Sequence, residues 1–468
     1  MKEGLMDEKK KMNKFAGIEV PPDLAKTNFF FLYVNTLVIG MLMVMPSIIQ
    51  PAFLKDVIKI PPDFFGLTNG FLQNMSQIAT LLFVGIIGYM SDKTGRKILA
   101  IAGFAAAILF YYLFGLSNDI AAFLHIPAGF SSKVCAFLCF APSRSQEFLA
   151  FGPGLFTAYV LRLFLGIGLI LVYPQFITMV ADYTHDKDRG KGMALNGIMM
   201  GMASIIIFAA IAPIGRKSGV QGLFFIASCM ALFGLVCTLV FLKERLPETK
   251  KEDKKGFKEV ARLVMQSPAL KSSYLCSLVS RADITVMATF IISWAVQLGD
   301  TFHLTSESAT QKGSVSMIIM SVVTFIAFPF VGIMLDKWGR LSTIILTLFS
   351  GGIGLILIGI GPGPFSVVTY CAVVLVGFGI AGSIAGANTM ATDVSPKALV
   401  GSILGGLNTM QPIGMLFFLQ LGGYLFDVLG PGWAFGLKGA ANLVLAIWLF
   451  MARGSINTDL AEHKAKLS

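Results

Sequence analysis

The chain has 468 residues, of which 55% are hydrophobic and 13% charged; soluble globular domains, with about a quarter of their residues charged, are excluded. A net charge of +11 would suit nucleic acid, but the basic residues gather in short segments between long apolar runs, the pattern that orients a membrane protein. Runs of about 20 residues suit spanning helices, and their unbroken character excludes a β-barrel, whose strands alternate.

In chain order, segment 1–26 is charged throughout and lacks the apolar core and cleavage site of a signal peptide, so the first span is expected to be its own insertion signal. Twelve spans are predicted, over 27–53, 65–91, 98–116, 154–181, 192–213, 220–242, 271–298, 313–335, 341–361, 366–392, 400–427 and 434–452. Pro46 and Pro51 are expected to end the first. Most Lys and Arg fall on the side of the N-terminus. This bias is expected to put segment 1–26 and tail 453–468 in the cytoplasm, with the protein in a bacterial cytoplasmic (inner) membrane.

A long outer loop, about 117–153, holds Cys135 and Cys139, where a disulfide stays open because two cysteines on one helical turn seldom have bridging geometry. Segment 243–270, with Pro247, mixed charge and an amphipathic stretch, reads as a cytoplasmic linker. Its apolar side could rest on the membrane surface, or the segment could be a plain solvated connector. It separates six spans over 27–242 from six over 271–452.

After the second span of each half stands one turn, GYMSDKTGRK from Gly88 to Lys97 and GIMLDKWGRL from Gly332 to Leu341. Five specified residues recurring at one spacing and place have a chance on the order of one in a million per start position, so the chain is a duplicated six-helix unit. A weaker echo follows the fourth and tenth spans, ADYTHDKDRGKG and TDVSPKALVG, each with an early Asp.

Both turns resemble the loop signature of the major facilitator superfamily, and LRLFLGIGL in the fourth span is similar to that family's Arg-x3-Gly-x-Gly pattern. MVMPSIIQP resembles the opening of its drug:proton antiporter branch. That branch's usual Gly-Pro pair in helix five is missing, with Ile207 and Phe208 in its place, so import by symport and export by antiport both stay open. The resemblance implies an all-α membrane protein with 12 transmembrane helices in two six-helix bundles related by a pseudo-two-fold. It also implies alternating access, with the first and fourth helices of each half lining a central cavity.

In the turns, Gly88 and Gly332 are expected to let a neighbouring helix approach, and Gly95 and Gly339 to permit the tight reversal. Asp92 and Asp336 are expected to accept hydrogen bonds at the start of an adjacent helix, with Arg96, Lys97 and Arg340 at the anionic membrane face. The resemblance implies that this cluster latches the halves together and releases on inward opening; the alternative is simple topological anchoring.

Arg162, Arg281 and Asp283 are the ionisable groups expected well inside spans, where a charge costs about 3 kcal/mol even on lenient scales. Arg281 and Asp283, two apart, point to different sides of their helix. Asp283 is expected to carry the coupling proton, and an Arg it does not engage to offer a fork to an anionic solute group. A fixed Arg162–Asp283 bridge is the alternative. Further cavity candidates are Asn35, Gln50, Asn74, Gln77, Tyr173, Gln175, Trp294, Asn388, Asn408 and Gln411, since amides inside a span need partners and a solute can be one.

No phosphate-binding loop, nucleophile–base spacing or soft-metal cluster is evident, so no enzyme, cofactor or metal is expected. The expected partners are a small solute, protons and lipid, without nucleic acid, for a monomeric secondary transporter, with multidrug-type efflux as one alternative. From another class, a nontransporting sensor or scaffold is a further alternative.

Overall fold

The computed structural model describes residues 14–185, 187–245, 257–396 and 399–467. The first thirteen residues of the expected N-terminal segment and the linker's centre with Pro247 lie outside the described residues.

Among the described residues, eleven helical stretches are long and apolar enough to cross a membrane. One, Arg189–Phe241, has 53 residues. Straight, it would measure about 80 Å, more than twice a hydrocarbon core. The backbone instead leaves the helix at Gly219, with φ +68°, so this stretch supplies both the fifth and sixth spans, and the spans number twelve. The others are Lys26–Ala52, Phe65–Thr94, Arg96–Gly115, Gly152–Tyr183, Pro268–Leu298, Ser306–Lys337, Arg340–Ile360, Val367–Asp393, Val400–Val428 and Gly432–Met451.

Pro46 and Pro51 do not end the first span. The helix runs through both and continues as a π-turn to Ile58. A proline has no N–H, so the carbonyl four residues back loses its donor. For Pro46 that carbonyl is Leu42, and the buried hydroxyl of Tyr111 in the third span donates to it instead. Such replacement is what makes proline tolerable within a membrane. In the fifth span a π-turn at Ile207–Ile211 stands where the Gly-Pro pair is missing.

The two halves pack alike. Spans two and four, three and four, and three and six touch in the first half; eight and ten, nine and ten, and nine and twelve do so in the second. Between halves, the second span lies along the eleventh, and the eighth along the fifth. These contacts sit toward the end opposite the two signature turns. Toward the turns the bundles part, leaving Ile86 and Tyr89 on the second span, Ile333 on the eighth and Asn408 on the eleventh exposed.

The segments leading into the first and seventh spans are both tied down. A hairpin of Lys14–Phe15 and Ile18–Glu19 buries Ile18 and stacks Phe15 on Tyr33 at 6.0 Å. The linker helix Phe257–Gln266 turns Val260 into the core shared with Ile403 and Leu407, so its apolar side rests on protein rather than on lipid. The long loop between the third and fourth spans forms helices Ser117–Phe123 and Ala128–Leu138; Cys135 in the second helix and Cys139 just past it are buried and free, without a disulfide.

Candidate functional site

The signature turn of the first half is built around an enclosed ion contact. Arg96 Nε lies 2.7 Å from Asp182 Oδ2, at an angle outside hydrogen-bond geometry, with side chains 6% and 9% exposed. Gly95, at φ +95°, makes the reversal. Glu244, just past the sixth span, accepts hydrogen bonds from Arg96 N–H (3.1 Å) and Lys97 N–H (2.7 Å) and so caps the third span. In the second half Arg340 meets Asp393 at 2.9 Å and Asp336 at 2.9 Å, but both acids are exposed. Thus the weak sequence echo, Asp182 and Asp393, supplies the partners of the signature arginines.

Three expectations for the turns need correction in this conformation. Gly88 and Gly332 have open space where a Cβ would stand, so no helix approaches them. Asp92 is exposed and no nearer a base than 3.9 Å from Arg96, and Asp336 stays within its own turn; neither caps a helix of the other bundle. Lys97 directs its ammonium to the carbonyls of Leu239 and Leu242 rather than to the membrane face. The turn end is unlatched.

Deeper in, the seventh span is interrupted at Arg281, between Pro268–Ser280 and Ala282–Leu298. Arg281 and Asp283 do diverge, and the partner of Asp283 is neither arginine. It is Lys438 of the twelfth span, with which Asp283 forms a fully buried ion pair. Asn442 completes the cluster: its amide donates to both Asp283 oxygens (3.1 and 3.0 Å), and its carbonyl accepts from Lys438 Nζ at 2.7 Å. The carboxylate and the ammonium are therefore compensated inside one bundle.

Arg281 points the other way. Its Nη1 donates to Gln411 (3.2 Å) and its Nη2 to Asn388 (2.7 Å), while its Nε has no partner. Asn388, Asn408, Thr389, Thr392 and Leu404 line a cleft of about 340 Å³ beside it. Tyr173 of the fourth span, across the gap, lies close enough to feel the charge of Arg281. In the other bundle Arg162 is 2% exposed, donates to Gln73 at 3.2 Å, and leaves Nε and Nη1 without acceptors. Among the described residues neither arginine meets a carboxylate.

The remaining candidates disperse. Asn35 donates to Thr238, and Gln175 accepts from Ser91, so both tie helices within the first bundle. Asn74 reaches Leu416 and Gln420 of the eleventh span, in the contact between bundles. Trp294 is 8% exposed and packs against Phe435 at 6.0 Å. Gln50 is buried with both amide atoms unpartnered, and Gln77 is half-buried. Arg281, Asn388, Asn408, Gln411 and Tyr173 are the candidates that come together.

Lys438 and Asn442 escaped the sequence reading because Lys438 stands near the start of its span, where a lysine ordinarily reaches water. A signal was present: in GLKGAANLVL the two stand four apart, on one face of an otherwise apolar helix.

The sequence pattern of the Major Facilitator Superfamily matches residues 31–418, and again 273–466. The magnetosome protein MamH of Paramagnetospirillum magneticum is 25% identical, over 89% of this chain and 90% of that one. Multidrug resistance protein 2 of Bacillus subtilis is 23% identical over 86% and 90%. A mutant form of the nucleoside transporter NupG superposes with a TM-score of 0.68 at 12% identity, over 90% of this chain and 99% of that one, a likeness of fold. Twelve spans in two matching bundles, the paired signature turns and a family match across most of the chain agree: the chain belongs to the Major Facilitator Superfamily of secondary transporters, and is not an enzyme.

Proposed function

We propose that this transporter carries a small organic anion between its two bundles by alternating access, coupled to protons. The observation that carries the reading is charge: Arg281 and Arg162 face the interior with unpartnered nitrogens, while Asp283 is already neutralised by Lys438. Two uncompensated guanidinium groups in a low-dielectric space favour an anionic solute, and the planar fork suits a carboxylate or phosphate. Arg281, held by two amides and open to the cleft, is the proposed anchor, with Asn388, Asn408, Gln411 and Tyr173 around it.

Asp283 is the proposed proton site. Protonating it while Lys438 stays charged would strand a buried cation, so proton uptake is tied to movement of the twelfth span against the seventh. With the basic turns on the cytoplasmic side of a bacterial inner membrane, the bundles as they stand are open inward. The cleft forms within one chain, in keeping with a monomer. The likeness to Multidrug resistance protein 2 favours a second reading, export by antiport.

The test uses purified protein in liposomes loaded with a pH-sensitive dye, offered organic acids, amino acids, sugars and lipophilic cations. Organic acids should move protons, Arg281→Gln should raise their KM sharply, and the double variant Asp283→Asn, Lys438→Met should move solute without protons. Response to lipophilic cations alone would overturn the anion reading in favour of drug export. Thermal stabilisation by a solute without flux would make the protein a sensor.

A further inference from the structure

At the end opposite the turns, several carboxylates reach across between the bundles: Asp300 pairs with Lys55 at 2.8 Å, Asp56 meets Ser306, and one, Asp427, binds backbone. Asp427, the last acidic residue of the eleventh span, accepts hydrogen bonds from the backbone N–H of Gly66 (2.6 Å, Oδ1) and of Leu67 (2.8 Å, Oδ2), at the start of the second span. The first N–H groups of a helix have no intrahelical partner, and the helix dipole makes that end attractive to an anion. The second span has no side-chain cap of its own. Its cap comes from the other half of the protein.

The backbones are built to meet there. A Cβ on Gly66 would stand 2.8 Å from the carbonyl oxygen of Gly423, and one on Gly423 would stand 2.6 Å from that of Gly66. Gly70 likewise faces the carbonyl of Leu419 at 2.5 Å. Behind this contact Asn69 donates to Ser293 at 2.7 Å, both buried, and Gln420 donates to Leu138 of the outer loop. The eighth span, counterpart of the second, also meets an acid from the opposite half: Ser306, its first residue, donates to Asp56 at 3.0 Å.

We propose that Asp427 is the latch of this end: its carboxylate, capping the second span from the opposite bundle, holds the outer mouth shut, with Asp56 as the weaker counterpart on the eighth span. The second span then carries a controlling acid at each end, Asp427 reaching its start and Asp92 near its close. One acid can engage the opposite bundle only when the other has let go, because the spans rock as rigid rods. This rests on the alternating-access reading, but its test needs no solute.

With the native cysteines replaced by alanine, a single cysteine is placed at Ser293, behind the outer contact, or at Asn408, in the open cleft. Labelling by a membrane-impermeant maleimide is timed in lipid nanodiscs, which expose both faces. Asp427→Asn should speed labelling at Ser293→Cys about tenfold, the weight of one charged cap, and slow labelling at Asn408→Cys. If labelling at Asn408→Cys fails to fall, or that at Ser293→Cys fails to rise, the latch is overturned; a rise at both positions marks general loosening. Should Asp427→Asn not fold, Asp56→Asn is read in the same way, with the same directions expected and the same failures decisive. A missing transport activity would leave this outcome untouched, so the two readings fail separately.

Discussion

Among the described residues, each half of this protein encloses one ion pair, but at a different depth. The first half keeps Arg96 with Asp182 at the signature turn, and its mid-membrane charge, Arg162, goes without an acid. The second half keeps Lys438 with Asp283 deep between its seventh and twelfth spans, and leaves its turn, Arg340 with Asp336 and Asp393, open to solvent. Duplication preserved the helix packing while the buried charge moved along it. The lesson is that a repeated motif predicts a repeated shape, and says little about which copy is enclosed.

The largest effect should come from splitting the deepest pair. Asp283→Asn alone strands Lys438 and should lower stability by about 3–5 kcal/mol, whereas adding Lys438→Met should recover most of that loss. Chemical unfolding in detergent would read this, and a single variant as stable as wild type would mean the pair is already hydrated. Next, Asp182→Asn should cost nearly as much by stranding Arg96, while Asp393→Asn, at the half-exposed copy, should cost at most about 1 kcal/mol. Equal losses would erase the asymmetry between the halves.

The smallest contrast concerns the turn glycines. Gly95 and Gly339 have φ of +95° and +91°, so alanine is strained at both, but at Gly95 a Cβ would also stand 2.8 Å from Glu244 Oε2. Gly95→Ala should therefore lower Tm more than Gly339→Ala, by displacing the cap of the third span.

Much of the architecture was legible in one dimension. Hydropathy located the spans, and the duplicated turn gave the two-bundle plan. The first prolines misled because the donor that rescues Pro46, Tyr111, lies 65 residues away in sequence. The candidate site was half legible. The divergence of Arg281 and Asp283 follows from helical periodicity, but nothing in a list of polar residues says that Asn388 and Gln411 hold Arg281 while Asn35 and Gln175 tie helices together. An amide in a span satisfies either need with the same atoms, so only three-dimensional placement decides.

The position of Trp294 gives the protein an optical property. Of its four tryptophans, Trp338, Trp433 and Trp448 are exposed, Trp338 within the second signature turn, while Trp294 is enclosed and adjoins Ser293, which bonds across to the second span. Rocking of the bundles changes the surroundings of Trp294 at the seam and, where the turns close, those of Trp338. Intrinsic emission thus has one component at the seam between the halves and one at the turn end, so the unlabelled chain reports its own conformation in the ultraviolet.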